Sequence, residues 1–153
     1  MMSEEKYNSE QDTREHIRAV WEFMSAAAIN FAKRSRDHDA SKLVYPEKEM
    51  FDKFTPLLIE LTYGSDEYKA ALAEMGAGLK HHYENNSHHP EHFENGINGM
   101  SLLDLLEMFC DWKAASLRHA DGDFAESLKI NKERFEMSDQ LYQIFVNTMN
   151  ELW

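Results

Sequence analysis

Apolar residues recur every three or four positions along most of this chain, and this periodicity constrains the fold more than any other feature of the sequence. Such spacing places apolar side chains on one face of an α-helix, whereas a half-buried strand would alternate them. The first stripe lies between about Gln11 and Arg34 and contains Ile17, Val20, Trp21, Met24, Ala27, Ala28 and Phe31. The sequence therefore predicts an all-α fold, a compact single-domain bundle of about six helices.

Proline, glycine and capping residues indicate where the helices begin and end. A short helical piece should carry His38-Asp39 and end near Tyr45-Pro46, because the residue before a proline is disfavoured in the α region. Two helices are expected next, one from Pro46 to a C-terminal cap at Tyr63-Gly64 and one from Ser65 to about His82. A further helix should run from Leu102 to about His119 and be ended by the Asp121-Gly122-Asp123 turn. The last should run from Ala125 to Leu152, with an interruption near Met137-Ser138.

Two regions inside this pattern stand out. Gly76 and Gly78 would each weaken a helix by about 1 kcal/mol relative to alanine, so we expect tight packing or a bend there. The segment from Asn85 to Gly99 is the longest irregular stretch and is rich in histidine. We expect residues 1–10 to form a loose leader and residues 11–153 to form one helical domain.

The composition restricts the class of protein. The formal net charge is −12, and no stripe of lysine and arginine is present, which argues against broad nucleic-acid binding and against binding to anionic membranes. The single cysteine, Cys110, cannot form an intrachain disulfide, and neither a secretory signal nor a membrane span is evident. We expect a soluble cytoplasmic protein, and the sequence leaves a monomer or a homo-oligomer open.

Histidine and aspartate are placed as a metal site would require. The adjacent pair His38-Asp39 can bind one ion from a single turn, and imidazole with carboxylate is a ligand set suited to Zn, Mn, Fe or Co. The other candidate ligands along the chain are His16, His81, His82, His88, His89 and Asp111. Only one histidine of His81-His82 is expected to face inward, since neighbours on a helix point about 100° apart.

The order His16, His38-Asp39 and Asp111 on helical segments resembles the HD-domain superfamily of metal-dependent phosphohydrolases. The run His-Asp-Ala-Ser-Lys is similar to the His-Asp-x-Gly-Lys of HD-GYP phosphodiesterases, with Ser41 in place of glycine, although the Gly-Tyr-Pro part is absent. The chain is also similar to a small family of HD-like proteins from phages and bacteria that has no assigned reaction. The resemblance covers about His16 to Ala115 and does not extend to the closing helix; we expect residues 11–153 as a whole to form one HD-like helical domain.

The resemblance also implies an activity. It predicts a phosphohydrolase that acts on a nucleotide or another small phosphate ester through water activated by one or two ions of Mn, Co, Zn, Ni or Fe. The residues that it assigns to the first ion are His16, His38, Asp39 and Asp111, and those for a second ion are His82 with His88 or His89. Lys42 and Arg118 would stabilise charge on the phosphate, and Asp39 would act with them in catalysis.

Other interpretations of the same residues remain open at this point. Asp39 can be a helix cap beside a surface histidine. Asp104, Glu107, Asp111 and Arg118 share a helical face, which is either a solvated ladder of ion pairs or a row in which Asp104 and Glu107 orient ligand imidazoles. The segment from His88 to His92 can equally be a polar loop.

Two other functions compete with the phosphohydrolase. A di-iron oxygenase on an HD-like scaffold would be favoured by six protein ligands across two irons and by a lack of basic phosphate contacts. A non-enzymatic helical binding protein, such as a phage-encoded inhibitor, would use the helices for a partner.

Overall fold

The computed structural model describes residues 7–62, 64–118 and 122–153, and within these ranges every regular element is helical. The six α-helices are α1 (Glu10–Asp37), α2 (Glu47–Glu60), α3 (Asp66–Asn85), α4 (Leu102–Ser116), α5 (Phe124–Arg134) and α6 (Asp139–Leu152). Short 3₁₀ helices span Ala40–Leu43, Pro90–His92 and Gly96–Gly99. The predicted all-α fold with about six helices is therefore confirmed.

Some predicted boundaries differ from the structure. His38 and Asp39 lie in the turn after α1 and not within a short helix, which begins only at Ala40. The predicted interruption near Met137-Ser138 is confirmed, because Ser138 caps the start of α6. The first six residues of the expected leader, the cap at Tyr63 and the turn at His119 to Asp121 lie outside the described residues.

The chain forms two compact units, Met1–Asp37 and His38–Trp153. The described part of the first unit is dominated by α1, a 28-residue helix with acidic residues in its first turn and basic residues in its last, the arrangement that the helix dipole favours. The single domain expected over residues 11–153 stays a prediction. In the described ranges, no helix is both long enough and apolar enough to cross a membrane.

The hydrophobic core of the second unit is built on α4. Phe109 of α4 lies 5.1 Å, between ring centroids, from Phe124 of α5 and 5.1 Å from Phe145 of α6. The buried members of this core are Met108, Phe109, Trp112, Phe124, Leu128, Met137 and Phe145. This packing fixes α4 on one side, and Glu107 and Asp111, four residues apart, share another face of the same helix.

The two glycines of α3 have the roles expected from the sequence. Gly76 has a φ of 47° and breaks the helical geometry, which bends α3. Gly78 faces α2, where a β-carbon would lie 3.2 Å from Cβ and from Cγ of Met50 and would also collide with its sulfur. The glycine at position 78 therefore allows α2 and α3 to approach closely.

Gly78→Val should destabilise the protein by at least about 2 kcal/mol, because a β-branched side chain at this contact forces α2 and α3 apart. Ala77→Val is the matched control, since position 77 is exposed on the same helix. Urea unfolding followed by circular dichroism measures the difference. Equal midpoints for the two variants would show that the contact with Met50 does not limit the packing.

Candidate metal centre

Asp39 occupies an unusual backbone position. Its φ is 56°, in the left-handed region that non-glycine residues rarely adopt, although aspartate tolerates it better than most. Asp39 precedes the 3₁₀ helix Ala40–Leu43, yet its side chain makes no capping hydrogen bond to the backbone of that helix. The helix-cap interpretation is therefore not supported, and the carboxylate is turned toward histidines instead.

Asp39 and three histidines form the first group of candidate ligands. One donor atom from each of Asp39, His82, His88 and His89 lies within 4.8 Å of the others. Asp39 Oδ1 is 3.4 Å from Nε2 of His82 and 3.4 Å from Nε2 of His88. Nε2 of His82 is 2.9 Å from Nε2 of His89.

His38, His88 and Asp111 form the second group by the same measure. Nε2 of His38 is 3.6 Å from Asp111 Oδ1 and 3.5 Å from Asp39 Oδ2. His88 belongs to both groups, and the two oxygens of Asp39 face different groups. The two groups are therefore neighbouring parts of one centre.

Two buried polar atoms of this centre lack a hydrogen bond. Asp39 Oδ1 and His88 Nε2 are both inaccessible and have no hydrogen-bond partner within the described ranges. A buried carboxylate oxygen without a partner is costly, and a cation relieves that cost. An ion with bonds of about 2.0–2.1 Å at the tetrahedral angle holds its ligand atoms about 3.3–3.4 Å apart. The observed separation between these two atoms fits a divalent transition metal.

Glu107 orients two of the histidines. Its Oε1 lies 2.9 Å from Nδ1 of His38 and 3.1 Å from Nδ1 of His88. A carboxylate at Nδ1 accepts the proton of that nitrogen and leaves the lone pair of Nε2 for a metal, as in many carboxylate–histidine–metal sites. The interpretation in which Glu107 orients imidazoles agrees with this geometry.

Glu47 orients the histidines of a second pair, His81 and His82, and the sequence analysis did not predict this role. Its side chain is fully buried, with Oε1 2.7 Å from Nδ1 of His81 and Oε2 2.8 Å from Nδ1 of His82. The hydroxyl of Ser41 donates to Oε2 at 2.8 Å. A glutamate in the first turn of a helix after a proline ordinarily lies at the surface, so no local signal marked this residue.

Burial keeps two of the imidazoles neutral. It lowers the pKa of His89 to about 3, with the nearby His88 and His82 contributing, and it lowers the pKa of His82 as well. Neutral imidazole is the form that binds metal. In contrast, the carboxylates of Asp111 and Glu107 raise the pKa of His38 to about 10. This imidazole is therefore protonated at neutral pH, and metal binding would require the release of its proton.

Asp104 anchors the histidine-rich loop instead of forming a solvated ladder. Asp104 and Glu107 are buried, which contradicts the ladder interpretation. Asp104 caps α4 together with Ser101, and it also accepts a hydrogen bond of 2.6 Å from the hydroxyl of Ser87, next to His88. The loop is also held by a hydrogen bond of 2.8 Å that the guanidinium of Arg134 in α5 donates to Glu91.

A cleft of about 900 Å³ opens beside the first group and lies wholly within the second unit. Lys42, His82, His89 and Arg118 are among the residues that line it. Lys42 also forms an ion pair with Asp39 Oδ2 at 2.5 Å and lies 4.7 Å from the ring centroid of Phe51. Arg118 is exposed.

Six of the seven predicted ligands thus lie in the two groups, namely His38, Asp39, His82, His88, His89 and Asp111. His82 is the buried member of its pair, whereas His81 is 42% exposed at its side chain. His16 lies in α1 with an exposed side chain, and of the described residues it is in neither group. Its role as a ligand stays a prediction.

A family model matches residues 5–151 of the sequence. The chain belongs to DUF5662, a family of unknown function. No curated protein and no solved structure matches it. The match covers every residue of the candidate centre and the whole of α1 to α5, so the centre lies within the part of the chain that defines the family.

Proposed function

We propose that this protein is a metal-dependent phosphohydrolase of the HD type that acts on small phosphate esters. The observation that carries the proposal is a pair of buried atoms that lack a hydrogen bond, Asp39 Oδ1 and His88 Nε2, which lie 3.4 Å apart in a centre that continues into a cleft with two cationic side chains. Asp39, His82, His88 and His89 would hold one divalent ion, and His38 and Asp111 would contribute to a second, because Nε2 of His88 can bind only one ion. Such ions lower the pKa of bound water and polarise phosphoryl oxygens.

Side chains of the protein would bind the phosphate group and orient the metal ligands. Lys42 and Arg118 line the cleft and supply positive charge for the oxygens of a phosphate group. Glu47 and Glu107 hold imidazoles in the tautomer that exposes Nε2. In the reaction, an oxygen of water bonds to phosphorus, the ester P–O bond breaks, and a proton of that water ends on the departing alcohol.

The ligand count keeps a di-iron oxygenase as a second candidate. Six protein ligands in two adjoining groups are what that alternative requires. Lys42 is already engaged by Asp39, which leaves fewer basic contacts for phosphate. The two functions differ in the metal that supports turnover and in whether oxygen is consumed.

Metal-loaded protein should release inorganic phosphate from at least one member of a panel of nucleotides and simple phosphate esters, and chelation should stop the release. Lys42→Ala should lower kcat/KM by about 100-fold, because one donor to the developing charge is lost. The matched control is Lys48→Ala, since Lys48 forms only an exposed ion pair with Asp52.

Elemental analysis of each variant accompanies the assay, because Lys42 also contacts a ligand. Protein that carries a full complement of metal but hydrolyses none of the esters would overturn the proposal. Oxygen consumption by the iron form would then favour the oxygenase.

A further inference from the structure

The cleft is far larger than a phosphate group needs. A volume of about 900 Å³ is that of a pocket for a drug-sized molecule. Its lining includes His82 and His89 of the candidate centre, so a phosphate bound at the centre would leave the rest of the cleft for the alcohol portion of the ester.

The wall formed by α3 is an apolar stripe that ends at the candidate centre. The residues of α3 that line the cleft are Tyr68, Leu72, Met75, Leu79, His82 and Tyr83. They line the cleft on both sides of the bend at Gly76, and within each half of α3 a spacing of three or four residues keeps them on one side of the helix. The fifteen residues from Tyr68 to His82 correspond to about 21 Å of helix before the bend is considered.

Apolar side chains of three other helices also line the cleft, among polar neighbours such as Thr55 and Ser127. They are Leu58 and Ile59 of α2, Trp112 of α4 and Ile130 of α5. The part of an aliphatic or aromatic body that packs against these apolar side chains would be removed from water, which stabilises binding by about 0.8 kcal/mol for each CH₂ that is buried.

The charges in the cleft argue against a second anionic group on the ligand. Lys42 and Arg118 are the basic residues of the lining, while Glu60, Asp123 and Glu126 are acidic. The chain as a whole has a formal charge of −12. A nucleoside triphosphate would bring several phosphate charges into this acidic field, whereas an ester with an uncharged body would bring the charge of one phosphate group.

We infer that the cleft selects phosphate monoesters whose alcohol portion is an extended, uncharged apolar body, such as a long alkyl or isoprenoid chain. This inference rests on the proposed function for the reaction, in which the ester P–O bond breaks and the apolar alcohol leaves with a proton from water. The binding preference itself depends only on the walls of the cleft and on the charge at its end.

The test compares ligands that share a phosphorus group and differ in the body. Calorimetry on the metal-loaded protein measures binding of decylphosphonate, ethylphosphonate and AMP, and a phosphate-release assay measures kcat/KM for decyl phosphate, ethyl phosphate and AMP. Decylphosphonate should bind at least about 100-fold more tightly than ethylphosphonate, since eight further CH₂ groups are buried. It should also bind more tightly than AMP.

Variants of the cleft wall locate the effect. Ile130→Asn and, as an independent second variant on another helix, Leu58→Asn should lower the decyl-to-ethyl ratio by about tenfold, because each places a polar group against the chain. Ile144→Asn is the control, since Ile144 is 50% exposed on α6 and does not line the cleft.

The outcomes separate the two proposals. Preferential binding of decylphosphonate without release of phosphate from any ester would support the cleft inference and overturn the phosphohydrolase. Equal binding of the two phosphonates, or tighter binding of AMP, would overturn the cleft inference, whether or not esters are hydrolysed.

Discussion

Asp39→Asn should lower the affinity of the protein for Mn²⁺, Co²⁺ or Zn²⁺ by at least about 100-fold, more than the change of a residue that only orients a ligand. Asp39 places one oxygen toward His82 and His88 and the other toward His38. The amide of asparagine keeps the size of the side chain but removes the charge that a cation requires between these imidazoles.

The measurements are elemental analysis after gel filtration and thermal unfolding with and without added metal. Metal at a concentration 100-fold above Kd stabilises a folded protein by about 2.7 kcal/mol, and this gain should be absent in the variant. Asp52→Asn is the matched control, because Asp52 pairs with Lys48 in an exposed position. Full metal stoichiometry in Asp39→Asn would show that the centre has been assigned to the wrong residues.

Glu47→Gln should lower metal affinity by about 10–100-fold while the helix content stays close to that of the wild type. The glutamine has one NH₂ group where the glutamate offers two acceptor oxygens to Nδ1 of His81 and Nδ1 of His82. Even with its oxygen toward Nδ1 of His82, the neutral amide is a weaker acceptor than a carboxylate and makes Nε2 of that ring, the atom that would bind the metal, less basic.

Glu47→Ala should have a further effect, a loss of about 1–3 kcal/mol in the free energy of unfolding, because Nδ1 of buried His82 and the hydroxyl of Ser41 lose their hydrogen-bond acceptor. Glu49→Gln and Glu49→Ala are the controls, since Glu49 is exposed in the same turn of α2. Calorimetric titration with Zn²⁺ and urea unfolding measure the two quantities. Unchanged affinity in Glu47→Gln would exclude an orienting role for this carboxylate.

Local spacing in the sequence was sufficient for much of the fold. The stripe of apolar residues between Gln11 and Arg34 predicted α1, and the serine at position 138 marks the start of α6 where an interruption was expected. Glu107 was, with Asp104, a candidate for orienting imidazoles, because both share the helical face of Asp111. Each of these inferences depends on residues within one or two turns of each other.

The features of the site that the sequence did not predict depend on tertiary structure. Glu47 is buried because the start of α2 packs against the end of α3, where His81 and His82 lie 34 and 35 residues further along the chain. The left-handed backbone of Asp39 also has no sequence signal, because aspartate adopts many turn conformations. Spacing along the chain does not reveal either feature.

The histidine-rich loop is joined by side-chain contacts to two helices of the second unit. Ser87 is tied to the capping aspartate of α4, and Glu91 is tied to α5. These two contacts join the segment to helices that share the hydrophobic core. We therefore expect the backbone amides of His88 and His89 to exchange with solvent more slowly than those of a free loop.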